Sequence, residues 1–545
     1  MHGGTIMKVF SLFKPFLKKY KKRFFIFICL SLLVTFLKLY IPLLSGSFID
    51  QLINKPTKNI IIEFTILYIC IAIIQIIISY ITSLLNVKLQ TSISYLLNKN
   101  ILEHLQKTPI LFLEKQNIAY LNQRINADCT NVVSFCLSIL VGVFVNLSTL
   151  IISFIVIIRV DIWMTLLIIC LIISYIFLYK FTKNTLKKII YELKENSAKY
   201  FSTLQEQLSQ IRFIKIFNFF DFFKNKLSKD YDNLLKSCLK NQKFSFIFQS
   251  SDLIITIIAQ VILFVFGGIK IIEGELTIGL FSVLSSYFTS IVSAIKYFIS
   301  LGNQYIETCV ASDRLHEILG IKKESFGEYI VNEIEKIKLD NISFSYNDRN
   351  ILNDFSYTFE KGKIYCINGE NGKGKSTLIN LILGMYENYN GSIYYNQLNI
   401  KNLNLYLTRI CFSVVAQNDL SLNDSILTNI VLDNKTDKEN EDLLNYIKLF
   451  CIDSLKELSY EDLKNVYINE KNTNFSGGEI KKIMLIRGLM RNNSVLILDE
   501  PTNSLDFKSK EMLKKLILDI KENHIIIIVT HDESLKLISD EIIEL

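Results

Sequence analysis

Six stretches of roughly 20 apolar residues fill the first 300 positions of this chain, and they narrow its fold more than any other feature. They run over residues 24–44, 60–85, 132–158, 163–181, 253–272 and 278–299. A segment that long and that apolar is stable in a bilayer only if its backbone pairs its own N–H and C=O groups, which means helix. Half of the 545 residues are hydrophobic and the mean hydropathy is +0.32, well above the usual range of a soluble enzyme. The expectation is an all-α domain of six membrane spans.

The segments between the spans are unequal. Residues 48–59, 159–162 and 273–277 make short connections, whereas 86–131 and 182–248 are long, polar and rich in lysine. Lys14, Lys18, Lys19, Lys21, Lys22 and Arg23 stand directly before the first span, so the positive-inside rule puts the N-terminus and both long loops in the cytoplasm. No small-residue cleavage site follows that span, so it is expected to stay in the membrane rather than act as a signal peptide. Apolar residues recur every three or four positions over 96–113 and 204–220, which reads as helices continuing past the bilayer and returning as hairpins.

The net charge of +8 forms no single basic patch, so no nucleic-acid partner is expected. The ten cysteines are scattered, without a C-x-x-C pair or histidines at metal spacing. They read as free thiols rather than a disulfide framework or a zinc site.

The membrane pattern stops near residue 320. Residues 1–320 are expected to form the transmembrane domain, 321–336 a charged linker, and 337–545 an α/β domain in which short apolar strands alternate with helices. This second domain carries the chemistry. After the apolar run 364–367 comes Gly369-Glu370-Asn371-Gly372-Lys373-Gly374-Lys375-Ser376-Thr377, which fits the phosphate-binding pattern G-x-x-x-x-G-K-[ST]. Its glycines let backbone N–H groups turn inward around phosphate oxygens, Lys375 reaches the outer phosphates, and Ser376 is placed to ligate Mg²⁺. The run Val495-Leu496-Ile497-Leu498-Asp499-Glu500 reads as a buried strand delivering two carboxylates to its end: Asp499 toward the metal's water shell and Glu500 toward the attacking water. Phe475-Ser476-Gly477-Gly478-Glu479 opens a helix, either an ordinary N-cap turn or an anion site. A further buried strand, 525–529, ends at Thr530-His531-Asp532.

Together these pieces resemble the ATP-binding cassette of ABC transporters. The resemblance extends to Tyr346, where the family places an aromatic that stacks on adenine. It extends also to Gln417, the position of a glutamine that touches Mg²⁺ and the membrane domain, and to Asn503-Ser504-Leu505-Asp506, the loop that links two cassettes. It implies that Gly369, Asn371, Gly372, Gly374, Lys375, Ser376 and Thr377 cradle ATP. It further implies that Ser376, Gln417 and Asp499 hold Mg²⁺, that Ser476, Gly477 and Gly478 contact a γ-phosphate, and that Glu500, His531 and Lys375 are catalytic. The membrane half resembles the exporter subgroup through Gly274-Glu275-Leu276-Thr277-Ile278-Gly279, Ala311-Ser312-Asp313-Arg314-Leu315, Glu206 with Ile211–Lys215, and Arg124 with Asp128. Phe475 and Glu479 depart from the family's usual Leu and Gln, and Asn469 and Asn472 stand beside Glu470 where glycines are usual.

In that family one ATP is sandwiched between the phosphate loop of one cassette and the signature of another, so a chain with one cassette and six spans is half a transporter. A homodimer is the default partner arrangement, a heterodimer the alternative. The implied function is ATP-driven efflux of an amphipathic or hydrophobic lipid, drug or peptide from the cytoplasmic side of a bacterial plasma membrane; an ATP-gated channel or a non-transporting sensor is the alternative class. The first span begins too early for an N-terminal peptidase, which argues against a self-processing peptide exporter. Lys38, roughly 21 Å along the first helix, is a candidate contact for an anionic cargo or a snorkelling lysine. Asp252 and Lys296, near the cytoplasmic ends of their spans, are read as solvated or inter-helix groups.

Overall fold

The computed structural model describes residues 3–545 apart from 115–117, 325–326, 347–348, 371, 418–420, 432–436, 453, 456–457, 469–474 and 492. The chain divides into two compact units. One comprises residues 1–106 with Ile118–Ile321, the other Lys107–Asn117 with Lys322–Leu545.

The first unit is entirely helical. Helix α1 (Gly3–Lys19) precedes the six helices that, among the described residues, are long and apolar enough to cross a membrane. These are α2 (Lys21–Asn54), α3 (Lys58–Leu105), α5 (Ile118–Leu137) joined through a π-helical turn (Ser138–Gly142) to α6 (Val143–Val160), α7 (Ile162–Ser209), α9 (Phe220–Ile272) and α10 (Ile278–Leu319), with the short α8 (Ile211–Phe217) between α7 and α9; the short α4 (Ile110–Glu114), between α3 and α5 in the chain, falls in the second unit. All six apolar stretches lie inside these helices, and the helices run far beyond them. The 48 residues of α3 or α7 span roughly 72 Å, more than twice a ~30 Å hydrocarbon core.

Two expected loop helices are interrupted. The periodicity over 96–113 suggested one continuous helix, yet α3 stops at Leu105 and α4 begins at Ile110. Pro109, at the start of α4, has no N–H for an intrahelical bond and disfavours helical backbone at Thr108. The second helix breaks at Gln210 and again at Asn218, whose φ of 55° is the left-handed conformation that ends a helix.

Polar side chains fix the helix ends. Asp161 caps α7 by accepting from Trp163 N (2.7 Å) and Met164 N (3.1 Å), and Lys270 pairs with the same carboxylate. Asp50 accepts from Thr277 Oγ1 (2.7 Å) and Gly279 N (2.8 Å), tying α2 to the start of α10. Here a Cβ on Gly279 would stand 2.1 Å from Gly46 O, so these helices approach through bare backbone. Toward the other end, Arg124 pairs with Glu317 and donates to Arg314 O (3.0 Å), joining α5 to α10. Asp252 and Lys296 pair with each other at 2.7 Å, and the Tyr175 hydroxyl donates to Asp252, so these two ionisable groups serve an inter-helix contact. Lys38 is exposed.

The second unit contains two larger sheets. β1 (Lys336–Tyr346), β2 (Arg349–Glu360), β4 (Asn390–Tyr395) and β5 (Leu398–Asn399) form an antiparallel sheet in the order β2-β1-β4-β5. β3 (Ile364–Asn368), β6 (Phe412–Val415), β9 (Val495–Asp499), β10 (Ile525–Val529) and β11 (Glu541–Glu544) form a parallel sheet in the order β11-β3-β10-β9-β6. A small pair, β7 (Asp424–Ser425) and β8 (Tyr467–Ile468), completes the strands. The helices are α11 (Lys375–Ile382), α12 (Leu405–Thr408), α13 (Ile426–Ile430), α14 (Asp437–Leu449), α15 (Gly477–Met490), α16 (Phe507–Ile520) and α17 (Glu533–Lys536).

The central strands are apolar without a break because both faces of the parallel sheet are covered. Ile525, Ile527 and Val529 of β10 enter one core while Ile526 and Ile528 enter the other; Val495 and Ile497 of β9 alternate with Leu496 and Leu498 in the same way. Ile110 and Leu111 of α4 pack against the first of these cores, which is why that short helix belongs to this unit.

Candidate nucleotide site

Parallel strands end on one edge of their sheet, so residues far apart in sequence meet just beyond the strand ends. Four neighbouring strands contribute here. The phosphate loop follows β3, Thr530 and His531 follow β10, Asp499 and Glu500 close β9, and Gln417 lies two residues past β6. A cavity of about 440 Å³ opens at this edge, bordered by Lys375, Ser376, Thr377, Gln417, Asp499 and Glu500, with Tyr346, Gly372 and Gly374 also on its wall.

The phosphate loop takes the shape its glycines allow. Gly372 and Gly374 have φ of 84° and 99°, left-handed values that a side chain strains to adopt. A Cβ on Gly374 would also stand 2.6 Å from Ile351 Cγ2. Gly374 caps α11, so the first turn of that helix, with its unpaired N–H groups, faces the cavity. The Lys375 ammonium folds back onto the Gly369 and Glu370 carbonyls and lies 3.3 Å from His531 Nε2. Thr377 is buried behind Ser376. Asn371 lies outside the described residues.

The carboxylates sit in contrasting surroundings. Burial, then the neighbouring Glu500, raises the Asp499 carboxyl above its ordinary value, while Lys481 and Lys375 pull it back. Glu500 has a φ of 49°, an uncommon conformation for a glutamate, held by its N–H donating to Val529 O at 2.8 Å. Its Oε1 lies 3.9 Å from His531 Nε2. At the far side of the wall, Tyr346 donates from its hydroxyl to Tyr386 (2.7 Å) and packs edge-on against Phe344 and Tyr386, which fixes its ring.

Ser476, Gly477 and Gly478 do not border this cavity. They open α15, where the Ser476 side chain accepts from Glu479 N (3.2 Å) and the Glu479 carboxylate accepts from Ser476 N (2.8 Å), a complete capping box. Either Glu or Gln performs that reciprocal bond, so the Glu479 departure keeps the turn. Phe475 is buried in the cassette core, where a large apolar side chain suffices. A Cβ on Gly478 would meet Ser504 O at 2.7 Å, so this glycine lets the 503–506 loop lie against the signature. Asn469, Glu470 and Asn472 lie outside the described residues.

Sequence reasoning missed Lys481. It is buried on α15 and donates to Ala416 O at 2.9 Å, next to Gln417, while its charge lowers the Asp499 carboxyl. Its helix is buried on nearly every side, so no periodicity distinguished a lysine that faces the site from one that faces water.

A phosphate loop, two strand-end carboxylates and a six-span helical unit in one chain define a membrane-bound nucleotide hydrolase. Residues 24–295 match the family model of the ABC transporter transmembrane region and residues 352–503 that of the ABC transporter. An ATP-dependent lipid A-core flippase of Wigglesworthia glossinidia brevipalpis is 27% identical over 80% of this chain and 75% of its own length. A provisionally named multidrug export ATP-binding/permease protein of Staphylococcus aureus is 24% identical over 97% of this chain and 93% of its own. The solved structure of a bacterial Atm1-family ABC exporter with ATP bound superposes with a TM-score of 0.85 at 17% identity, covering 96% of this chain and 93% of that one. The chain belongs to the ABC transporter family, as an exporter-type half-transporter whose ATPase cassette is coupled to efflux across the membrane.

Proposed function

We propose that two copies of this chain form the working exporter, closing on two ATP molecules to carry an amphipathic cargo out of the cytoplasm. The carrying observation is that the nucleotide edge is divided. The phosphate loop, Gln417, Asp499 and Glu500 border one cavity, while Ser476–Gly478 stand outside it. Gly477 sharpens the point: a Cβ there would meet nothing, its φ is ordinary, and glycine in a first helical turn costs up to ~1 kcal/mol relative to alanine. Nothing among the described residues calls for a glycine at that position, which supports close approach by a phosphate held on a partner's loop.

In this reading Lys375 and the loop N–H groups hold the outer phosphates and Tyr346 stacks on adenine. Ser376, Gln417 and Asp499 present a hydroxyl, a carboxamide and a carboxylate to one cavity, an oxygen donor set that fits Mg²⁺. When bound, the ion supplies positive charge against the phosphate oxygens. Glu500 polarises the attacking water and His531 positions the γ-phosphate beside Lys375. Lys481 steadies the Gln417 segment from beneath.

The partner also covers apolar surface. Ile211, Phe213, Ile216 and Phe217 of α8, with Phe219 and Phe222 beyond it, are exposed on a segment far from any apolar stretch of bilayer length. Such a patch in water needs a protein partner. The names of the lipid A-core flippase and the multidrug protein favour a lipid-like or drug-like cargo, and the lysines before the first span favour a cytoplasmic N-terminus and cassette.

Glu500→Gln tests the whole reading. The variant is expected to lose steady-state ATPase by at least 100-fold, a loss of about 2.7 kcal/mol of transition-state stabilisation, while trapping ATP on a particle of twice the chain mass. ATPase near wild type, or a monomeric nucleotide-bound species, sinks it.

A further inference from the structure

A second cavity, of about 400 Å³, lies among α2, α3, α10 and the π-helical turn after α5. Its size is within the ~300–1,000 Å³ of small-molecule sites. One wall is α3, where Ser79, Thr82, Ser83, Asn86 and Gln90 all border the space. Positions 79, 82, 86 and 90 follow one another by three, four and four residues, with Ser83 four after Ser79, which keeps them on one face of a helix that is otherwise apolar for most of its membrane stretch. Thr82 bonds back to Ser79 O at 2.8 Å, but the side chains of Ser83, Asn86 and Gln90 make no hydrogen bond among the described residues. Asn86 and Gln90 follow the second apolar stretch directly, so their carboxamides stand at the edge of the bilayer, where they meet water or a ligand.

The opposite wall is held in place. The helix there widens into a π turn at Ser138–Gly142, and the Tyr297 hydroxyl donates to Ser138 O within that turn. A Cβ on Gly142 would stand 2.1 Å from that hydroxyl, so only glycine admits the Tyr297 ring. All four contributions come from one end of the bundle. Phe27 and Ser31 lie near the start of the first apolar stretch and Ser134 near the start of the third, while Asn86 follows the second and Tyr297 closes the sixth.

Among the described residues, no charged side chain borders this cavity. Asp252 and Lys296 are committed to each other, and Lys38 lies elsewhere on α2. An ammonium or phosphate here would lose its hydration without a counter-charge, and a purely apolar group would leave the carboxamides unpaired. What satisfies both walls is an uncharged group rich in hydroxyl or amide functions, with an apolar tail against Phe27, Leu137 and Val141.

We propose that this cavity receives the polar part of the cargo and selects uncharged hydroxyl- or amide-bearing groups over ionic ones. The proposal rests on the reading of the chain as an exporter of amphipathic cargo. Its test uses the full-length protein in phosphatidylcholine nanodiscs and four amphiphiles with one eight-carbon chain, kept below their micelle concentrations. They are octyl glucoside, an N-octanoyl dialanine amide, octyltrimethylammonium and octyl sulfate. ATPase is read as half-saturating concentration, and binding is read directly with radiolabelled probes. At least one uncharged probe is expected to act at about tenfold lower concentration than either ion, and the glucoside and amide arms show which function is preferred. Asn86→Leu with Gln90→Leu is expected to remove that preference. Asn86→Asp, which keeps the volume and adds a carboxylate, is expected to turn it toward octyltrimethylammonium. An ionic probe preferred by the wild type, or an order unmoved by Asn86→Asp, overturns the proposal and leaves the exporter reading intact. Absence of ATP-dependent uptake of every probe into inverted vesicles overturns that reading, and the cargo site with it.

Discussion

Two glycines of the nucleotide site obey different constraints, and the difference is measurable. Gly374 has a left-handed φ and no room for a side chain, so the folded chain itself demands it. Gly374→Ala is expected to cost about 1–2 kcal/mol in stability from backbone strain alone. It should also weaken ATP binding, seen as a smaller nucleotide-dependent rise in unfolding temperature. Gly477 has ordinary backbone and open space, so Gly477→Ala should leave unfolding within about 0.5 kcal/mol of wild type or slightly raise it. ATPase should nonetheless fall, because the alanine methyl faces the proposed partner's phosphate. Unchanged ATPase in that variant would argue against a shared site. The identity of both glycines was legible in the sequence as motif. The reason for each was not, since one answers to local geometry and the other, in the proposed dimer, to the partner's phosphate.

At the scale of elements, three helix caps share an electrostatic dependence. Lys482 beside Asp506, with the N–H and hydroxyl of Ser509, holds that carboxyl well below the usual range. Burial pushes Asp532 up, but bonds from Ser534 and Lys510 outweigh it and hold the group at about 2. Glu479 is likewise lowered, burial being outweighed by Ser476 and Ser454. Each group binds its proton less readily when folded, so its stabilisation is complete above the ordinary carboxylate value and is lost as pH falls. Cassette unfolding temperature is expected to decline from about pH 4 downward, and Asp532→Asn should flatten part of that decline. A curve unaffected by Asp532→Asn would remove this cap as a contributor. The six spans and the strand-end acids were readable beforehand because membrane helices and doubly buried strands are encoded in long apolar runs. The turn at Asn218, the π turn at Ser138–Gly142 and the inward lysine at 481 were not, because no apolar run marks them, whereas the break at Pro109 is local to the proline itself.

For the whole molecule, the division of labour along the chain matters more than any one contact. The parallel sheet gathers loops from β3, β6, β9 and β10 at a single edge, whereas the Ser476–Gly478 turn opens α15 away from that cavity. The exposed aromatic surface around α8 belongs to the same proposal. Phe213→Ser with Phe217→Ser is therefore expected to keep ATP binding while lowering both dimer yield and cargo-stimulated ATPase. Retention of full stimulation would show that this patch has another purpose.

The position of Ser476–Gly478 outside its own chain's cavity has a consequence in genetics. Consider a dimer in which one copy carries Lys375→Ala and the other carries Gly477→Asp. Both lesions fall on the same ATP site, and the second site remains intact. Place both lesions on one copy beside a wild-type partner, and each site carries one defect. In tandem fusions that fix which copies pair, the trans arrangement should thus keep more ATPase than the cis one, the reverse of what a self-contained enzyme would show.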